Sequence, residues 1–364
     1  MNFDFSPEQR QFGDQVARML TDLAPVAEAR RVLEGDAAYS APAWQGLAGL
    51  GFQAIMIPED QGGLGMGALE MCIAAEQIGK SMAPVPSLSS AYICGEAIRL
   101  YGDAEQQARW LPGLADGSII GTWAAAEAPG ERATSFSDGM LTGHKLPVLD
   151  GMTADIALVI ATAPGVGAVL TLCPLSGDGV TRHAVANVDP TRPVADIRFA
   201  NAPAERLGTA GAAEWAHLQD RAAVLLAFEQ IGAADRALWM ARDYALTRKS
   251  FGRPIGSYQA IKHKLANIYA KNEIARSHAY YGAWALATGA PELPLAAAGA
   301  RVSASEALSF AAQENIQTHG GIGFTWESDC HLFYRRAQQH ALILGSVPVW
   351  KTRILQQLER QDRE

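Results

Sequence analysis

Apolar residues recur at three- and four-residue intervals through the first 116 positions, change to short alternating or continuous runs from 117 to 211, and return to helical spacing from 212 onward. The opening Ser6-Pro7-Glu8-Gln9 carries a capping serine, a proline at the first helical position and a glutamine three residues after the cap. Phe12, Val16, Met19, Leu20 and Leu23 then follow at helical spacing. Further helices are predicted over 41–50, 66–81, 87–100 and 104–115. Between the second and third helices, Ile57-Pro58-Glu59-Asp60-Gln61-Gly62-Gly63-Leu64-Gly65 reads as a tight turn that approaches another stretch of backbone.

Segments 118–125, 140–148, 156–162, 168–175 and 196–199 are short and apolar or alternating, and Gly, Pro, Asp and Asn separate them. This pattern predicts antiparallel strands in a sandwich or barrel. Two long helices follow, over 214–247 and 257–288. Between them lies Arg248-Lys249-Ser250-Phe251-Gly252-Arg253-Pro254-Ile255-Gly256-Ser257-Tyr258-Gln259, where the Phe251–Pro254 turn is expected to stop the first helix and Ser257 to cap the second. The fold class is α+β.

Composition narrows the function. The chain has 364 residues, 49% hydrophobic and 19% charged, as ordinary globular proteins do. A net charge of −8 argues against a general nucleic-acid binder. Cys72, Cys94, Cys173 and Cys330 are scattered and form no C-x-x-C pair, so they read as reduced packing residues, and no metal site is expected. Acids at Asp4 and Glu8 and the lack of an apolar run of spanning length predict a soluble, cytoplasmic protein without a membrane partner. The 248–259 corner offers a cation, a small hydroxyl, an aromatic ring and a glycine, which together suit an anionic, planar ligand.

Four segments in order make the chain similar to the acyl-CoA dehydrogenase family over nearly its whole length. They are Phe3-Asp4-Phe5-Ser6-Pro7-Glu8-Gln9, Pro58–Gly65, Thr247–His263 (which contains the corner) and Gln317-Thr318-His319-Gly320-Gly321-Ile322-Gly323-Phe324-Thr325. The resemblance implies three domains: an N-terminal helical domain (1–116), a middle antiparallel β domain (117–211) and a C-terminal four-helix bundle (212–364). It implies FAD bound between the β domain and the C-terminal helices, its adenine end reaching a neighbouring subunit. It also implies an acyl-CoA substrate, an electron-transfer flavoprotein or similar acceptor, and a homologous subunit in an α2β2 assembly or a homotetramer. In that family a carboxylate removes the α-proton of the thioester while hydride leaves the β-carbon for the flavin.

Carried over residue by residue, the resemblance places Arg248 at the FAD pyrophosphate, where a planar, permanently charged fork suits phosphate oxygens. Ser250 donates to the same group, Phe251 packs by the adenosine half, and Ile255, Tyr258 and Gln259 line the cleft. Gln317, Gly320, Gly321 and Gly323 match a second dinucleotide-facing segment. His319 is read as structural or solvated.

Other family positions have changed. Ala126 stands where a hydroxyl beside the flavin is expected, in Ala126-Glu127-Ala128-Pro129-Gly130, and Pro147-Val148-Leu149 replaces a tryptophan-x-threonine strand that covers one flavin face. Trp123 is a partial substitute or an aromatic core residue. Leu344, in Ile343-Leu344-Gly345-Ser346, occupies the usual base position. An alternative base position in some relatives falls at Ala222, with Asp220 nearby. Glu229, two turns beyond Ala222 on the same face, is the remaining candidate base, in an apolar setting that raises a carboxylate pKa. The alternative is a buried glutamate hydrogen-bonded to Gln230, Arg236 or a neighbouring helix.

Two readings follow. In one, the chain is a self-sufficient homo-oligomeric dehydrogenase with Glu229 as a displaced base. In the other, favoured by the pattern of losses, it is the degenerate subunit of a heteromeric enzyme of the steroid side-chain type and completes a partner's FAD site. A related oxidase or monooxygenase has no residue in its favour.

Overall fold

The computed structural model describes residues 5–362; Phe3 and Asp4 of the N-terminal match lie outside the described residues. Helices come first: α1 (Pro7–Leu23), α2 (Val26–Leu33), α3 (Ala41–Gly49), α4 (Ala68–Ser81), α5 (Glu96–Tyr101) and α6 (Ala104–Ala115). Ser6 and Gln9 close the predicted capping box, with Ser6 N–H donating to Gln9 Oε1 at 2.9 Å and Gln9 N–H to Ser6 Oγ at 3.2 Å. In the turn before α4, a Cβ on Gly63 would lie 1.9 Å from the Ile57 carbonyl oxygen, so only glycine fits that backbone approach.

The helix predicted over 87–100 is interrupted. Ser87–Gly95 forms a π-helical segment and only α5 is regular. Serines tie this stretch to its surroundings: Ser89 Oγ donates to Asp150 Oδ2 at 2.6 Å, and Ser90 Oγ accepts from Gly121 N–H at 3.1 Å.

The strands are β1 (Gly121–Ala124), β2 (Ser135–Ser137), β3 (Met140–Leu149), β4 (Ile156–Ala163), β5 (Gly167–Pro174), β6 (Val180–Val185), β7 (Val194–Pro203) and β8 (Glu205–Gly211). They form one sheet in the order β6-β7-β3-β2-β4-β5-β8, with β1 joined to β4. The sheet is mixed, because β1 and β2 each run parallel to β4 where the pattern predicts antiparallel pairing throughout. Three strands have no counterpart in the predicted segments: β2 is only three residues long, and β6 and β8 carry polar residues on both faces or interleaved glycine, which erases the period-two signal.

A second helical series completes the chain: α7 (Ala212–Thr247), the short pair β9 (Lys249–Ser250) and β10 (Arg253–Pro254), α8 (Gln259–Thr288), α9 (Leu293–His319), α10 (Cys330–Leu342) and α11 (Val347–Gln361). Among the described residues no helix is long and apolar enough to cross a membrane.

The chain divides into two compact units. The helical unit comprises the chain up to Ala29, Ala68–Ala83 and everything from Ala223. Alanines dominate its helix contacts: Ala275, Ala279 and Ala283 of α8 and Ala297, Ala300, Ala304 and Ala311 of α9 are all buried. Small side chains let helix axes approach closely. The sheet unit comprises Arg30–Gly67 and Pro84–Ala222, with Leu158, Val159, Leu170, Leu172 and Ile197 in its core. All four cysteines are free and buried.

One buried charge in the sheet unit makes its stability depend on pH. Glu96 accepts from Arg99 at 2.7 and 2.8 Å and from Arg221 Nε at 2.6 Å. Burial pushes the Glu96 carboxyl up, but the hydrogen bonds and charges of Arg99 and Arg221 outweigh it and hold the pKa below the ordinary 4.5. A lowered folded pKa contributes stability that is present above the unfolded value and lost as pH falls through the folded one. Thermal unfolding should therefore show Tm falling steeply below pH 4.5. A Glu96→Gln chain, less stable at neutral pH, should lose less on acidification; parallel pH curves would remove Glu96 from the account.

Candidate functional site

The corner is built as a hairpin. Helix α7 ends at Thr247, before the Phe251–Pro254 turn that was expected to stop it, and Ser250 pairs with Arg253 across a two-residue loop. Both loop residues have positive φ, 50° at Phe251 and 81° at Gly252, which matches the twist of paired strands. Ser257 does not cap α8: its hydroxyl donates back to the Pro254 carbonyl at 2.7 Å, and Tyr258 holds the cap position without a side-chain bond. The Ser257 hydroxyl is thus committed to the chain before the helix.

Tyr258 braces the hairpin. Its hydroxyl donates to the Ser250 carbonyl at 3.0 Å, and the Arg253 guanidinium lies 4.0 Å from its ring centroid. Ile255 N–H donates to the Arg248 carbonyl at 2.8 Å. The brace presents Phe251 outward, 95% exposed. A non-glycine residue with positive φ and a bare aromatic ring are both costly in an isolated surface turn. Arg248 is exposed, and among the described residues its guanidinium has no side-chain or backbone acceptor. Gln259 is also exposed, at the first position of α8.

The second predicted segment lies beside the first. Tyr244, in the last turn of α7, stacks on His319, the last residue of α9, with centroids 4.2 Å apart, and His319 Nδ1 lies 2.8 Å from the Asn315 carbonyl. His319 is thus a packing residue that joins the two segments. Beyond it, Gln317, Gly320 and Gly321 are exposed, and a Cβ on either glycine would meet nothing within 4 Å. Gly320 has φ 63° and ψ −140°, a conformation essentially confined to glycine. Gly323 differs from the expected open approach: it is buried, and its Cβ would lie 2.6 Å from the Ile316 carbonyl oxygen. Phe324, 85% exposed, is an aromatic that the reading left out.

These residues fit part of an FAD. A guanidinium without an internal acceptor, a hydroxyl, two bare glycines and an exposed ring match the pyrophosphate and adenosine half. The sheet unit offers less to the isoalloxazine. Leu146 N–H donates to the Ala126 carbonyl at 3.2 Å, which brings exposed Ala126 and exposed Pro147 side by side without a hydroxyl or an aromatic ring between them. Val148 and Leu149 are buried, and Trp123 is only 7% exposed within β1, so it stands as a core residue.

Glu229 and Leu344 are in the helical unit, whereas Ala222 is the last residue of the sheet unit. Glu229 is fully buried in α7, far from the corner along the same helix, on the order of 28 Å at 1.5 Å per residue. Here α7 crosses α4 with no side chain between the backbones. A Cβ on Gly79 would lie 1.9 Å from the Glu229 carbonyl oxygen, and one on Gly232 would lie 2.1 Å from that of Glu76. The crossing pins the Glu229 backbone.

Leu344 sits in a turn with φ 61°, and its carbonyl accepts from Trp350 Nε1 at 3.0 Å. Beneath the turn lies Arg301, fully buried in α9. Arg301 donates to Gln230 Oε1 at 3.1 Å, to the Ser305 hydroxyl, to the His340 carbonyl and to the Ile343 carbonyl at 2.7 Å. The last two are orphan carbonyls at the C-terminus of α10, where the helix dipole favours a cation. Burial alone pushes the Arg301 pKa down to about 9, so it stays charged at neutral pH. One network therefore links Gln230, next to Glu229, with the turn that carries Leu344. Its sequence signal, an arginine directly after the alanine-rich 295–300 stretch, is slight.

The chain is similar to known proteins over most of its length. Residues 213–358 match the family model "Acyl-CoA dehydrogenase, C-terminal domain", and residues 6–118 match "Acyl-CoA dehydrogenase, N-terminal domain". Acyl-CoA dehydrogenase IpdE2 of Mycobacterium tuberculosis is 36% identical over 342 residues, covering 93% of this chain and 94% of the relative. IpdE2 of Mycolicibacterium smegmatis is 33% identical, covering 93% and 95%. Among solved structures, the ChsE4–ChsE5 complex from Mycobacterium tuberculosis superposes with a TM-score of 0.91 at 27% identity, covering 99% of both chains. A variant of the Tcur3481–Tcur3483 steroid ACAD does so with a TM-score of 0.89 at 28% identity, covering 98% and 99%.

Proposed function

The chain belongs to the acyl-CoA dehydrogenase family of FAD-dependent oxidoreductases, and on that premise we propose that it is the subunit of a heteromeric acyl-CoA dehydrogenase that completes the FAD site of an unlike, homologous neighbour. The observation that carries this reading is an asymmetry. The corner that meets the pyrophosphate and adenosine half is intact and open, while Ala126, Pro147 and Leu344 have lost the groups that would serve a flavin ring and a base in this chain. Two structural relatives above 25% identity are each described under two chain names, one as the ChsE4–ChsE5 complex and the other as the Tcur3481–Tcur3483 steroid ACAD, which supports an unlike partner and a steroid-derived acyl-CoA.

In this reading Arg248 binds phosphate oxygens through its fork and Ser250 donates a hydrogen bond. Gly320 and Gly321 let backbone N–H groups approach the ligand, while Phe251 and Phe324 cover its adenosine face. The α-proton is removed by a carboxylate of the partner. When bound, FAD supplies the hydride acceptor, and electrons then pass to an electron-transfer flavoprotein or similar acceptor. The residues of this chain hold and orient; they do not transfer the proton.

The test is a flavin spectrum of the chain purified alone and again after co-expression with a homologous subunit. The expected result is a colourless or weakly yellow chain that yields a fully yellow complex, with Arg248→Ala in this chain weakening FAD retention by the complex about 10- to 100-fold, the range of one charge-assisted bond. Full FAD occupancy of the isolated chain would instead favour the homo-oligomer with Glu229 as base, and turnover by that species, lost in Glu229→Gln, would establish it.

A further inference from the structure

A cleft away from the corner has the makings of a second site. It lies within the helical unit, between α1, the turn into α2, the C-terminal half of α4 and the middle of α7, with a volume of about 490 Å3. Ala17, Leu20, Ala24 and Val26 give it an apolar lining, and the polar side is formed by Gln77, Lys80, Asp235, Arg236 and Trp239. Such a volume and mixture are usual for small-molecule sites.

The polar groups differ in how far they are committed. Lys80 is held by Glu76 at 2.9 Å and lies 3.9 Å from Asp235. Trp239 lines the cleft, and the Arg242 guanidinium covers its ring at 4.5 Å. Arg242 is in turn paired with Asp243. Two groups remain available. The Arg236 guanidinium is exposed and the Gln77 amide half-buried, and among the described residues neither has a hydrogen-bond or ion-pair partner.

We propose that this cleft binds a small amphipathic carboxylate, with the Arg236 fork and the Gln77 amide on its head and the Leu20, Val26 and Trp239 wall on its apolar body. A planar guanidinium matches a carboxylate bidentately. A phosphate would call for further free cations, and those present are already paired with Glu76, Asp235 and Asp243. A cationic ligand would be opposed by the unpaired Arg236 guanidinium. The apolar wall selects for a hydrocarbon body over a bare inorganic anion.

Octanoate is the probe. Isothermal titration of the full-length chain should show saturable one-to-one binding, with 1-octanol binding at least about tenfold more weakly because it cannot form the charge-assisted pair. Arg236→Ala, or Arg236→Gln should the alanine chain fail to fold, should weaken octanoate at least about tenfold, while Trp239→Phe should abolish the accompanying tryptophan fluorescence change. The assignment is overturned by an unchanged affinity in a folded Arg236 variant, by 1-octanol binding as tightly as octanoate, or by no saturable heat below about 10 mM, weaker than any specific site of this size should be.

Discussion

Arg301→Ala should lower the stability of the chain by about 3–5 kcal/mol, the range for breaking a buried charge network from one side. The magnitude follows from what is left behind. The His340 and Ile343 carbonyls, the Gln230 amide oxygen and the Ser305 hydroxyl all lose a donor in a dry interior. A cavity the size of a guanidinium and its stem opens beneath the Leu344 turn. Arg301→Met separates these effects, since it refills the volume but donates nothing. Arg301→Lys restores the charge without the fork, so it cannot satisfy α7 and α10 together. Urea unfolding should rank the variants with arginine most stable, lysine next, then methionine, and alanine least. A loss below about 1 kcal/mol in Arg301→Ala would mean that the α10 carbonyls have other partners.

Gly232→Ala and Gly79→Ala should each destabilise the helical unit by about 3 kcal/mol or more, at the upper end of overpacking effects. The new methyl groups would lie 2.1 Å from the Glu76 carbonyl oxygen and 1.9 Å from that of Glu229, and both obstacles are backbone, which cannot rotate aside. Helices α4 and α7 would have to separate, disturbing the Glu76–Arg276 pair at 2.8 Å. Both substitutions spread the same crossing, so the double variant should cost clearly less than the sum. Gly299 supplies the contrast. Its Cβ would meet only the His278 ring nitrogen at 3.4 Å, and in mid-α9 Gly299→Ala should gain up to about 1 kcal/mol from helix propensity. Equal losses in all three variants, measured by chemical denaturation, would refute the account of the crossing.

These two predictions rest on contacts that could not have been read in advance, whereas the 248–259 corner could. Arg248, Ser250, Phe251 and Tyr258 are close in sequence and fold into one braced hairpin, so the motif and the geometry coincide. The Gln317–Gly321 segment was equally legible, because a glycine such as Gly320 directly after a long helix commonly takes a positive φ as its C-cap. Gly323 was misjudged because a glycine required for inward packing looks the same in a sequence as one left open for a ligand. Ser257 failed as a cap for a similar reason: whether a hydroxyl meets a helix N-terminus depends on how the hairpin before it closes. The interrupted helix at Ser87–Gly95 went unread because its apolar spacing is helical, while its departure from a regular helix accompanies side-chain bonds to Asp150 and Gly121, 61 and 31 positions away.

The sequence by itself determined the order of helices, strands and helices, the family, and the chemical groups gathered at the 248–259 corner. All of these depend on residue identity and local spacing, since periodicity, caps and turns act over a few residues. Only the tertiary structure decided that α4 and α7 touch backbone to backbone at Gly79 and Gly232. It alone showed that Arg301 reaches Gln230, 71 positions away, and His340, 39 positions away, and that Arg236 and Trp239 face a common cleft. The physical reason is that burial and hydrogen bonding are shared between segments. A glycine or an arginine acquires its role from the partner that packing brings against it, and nothing in its own neighbourhood along the chain specifies that partner.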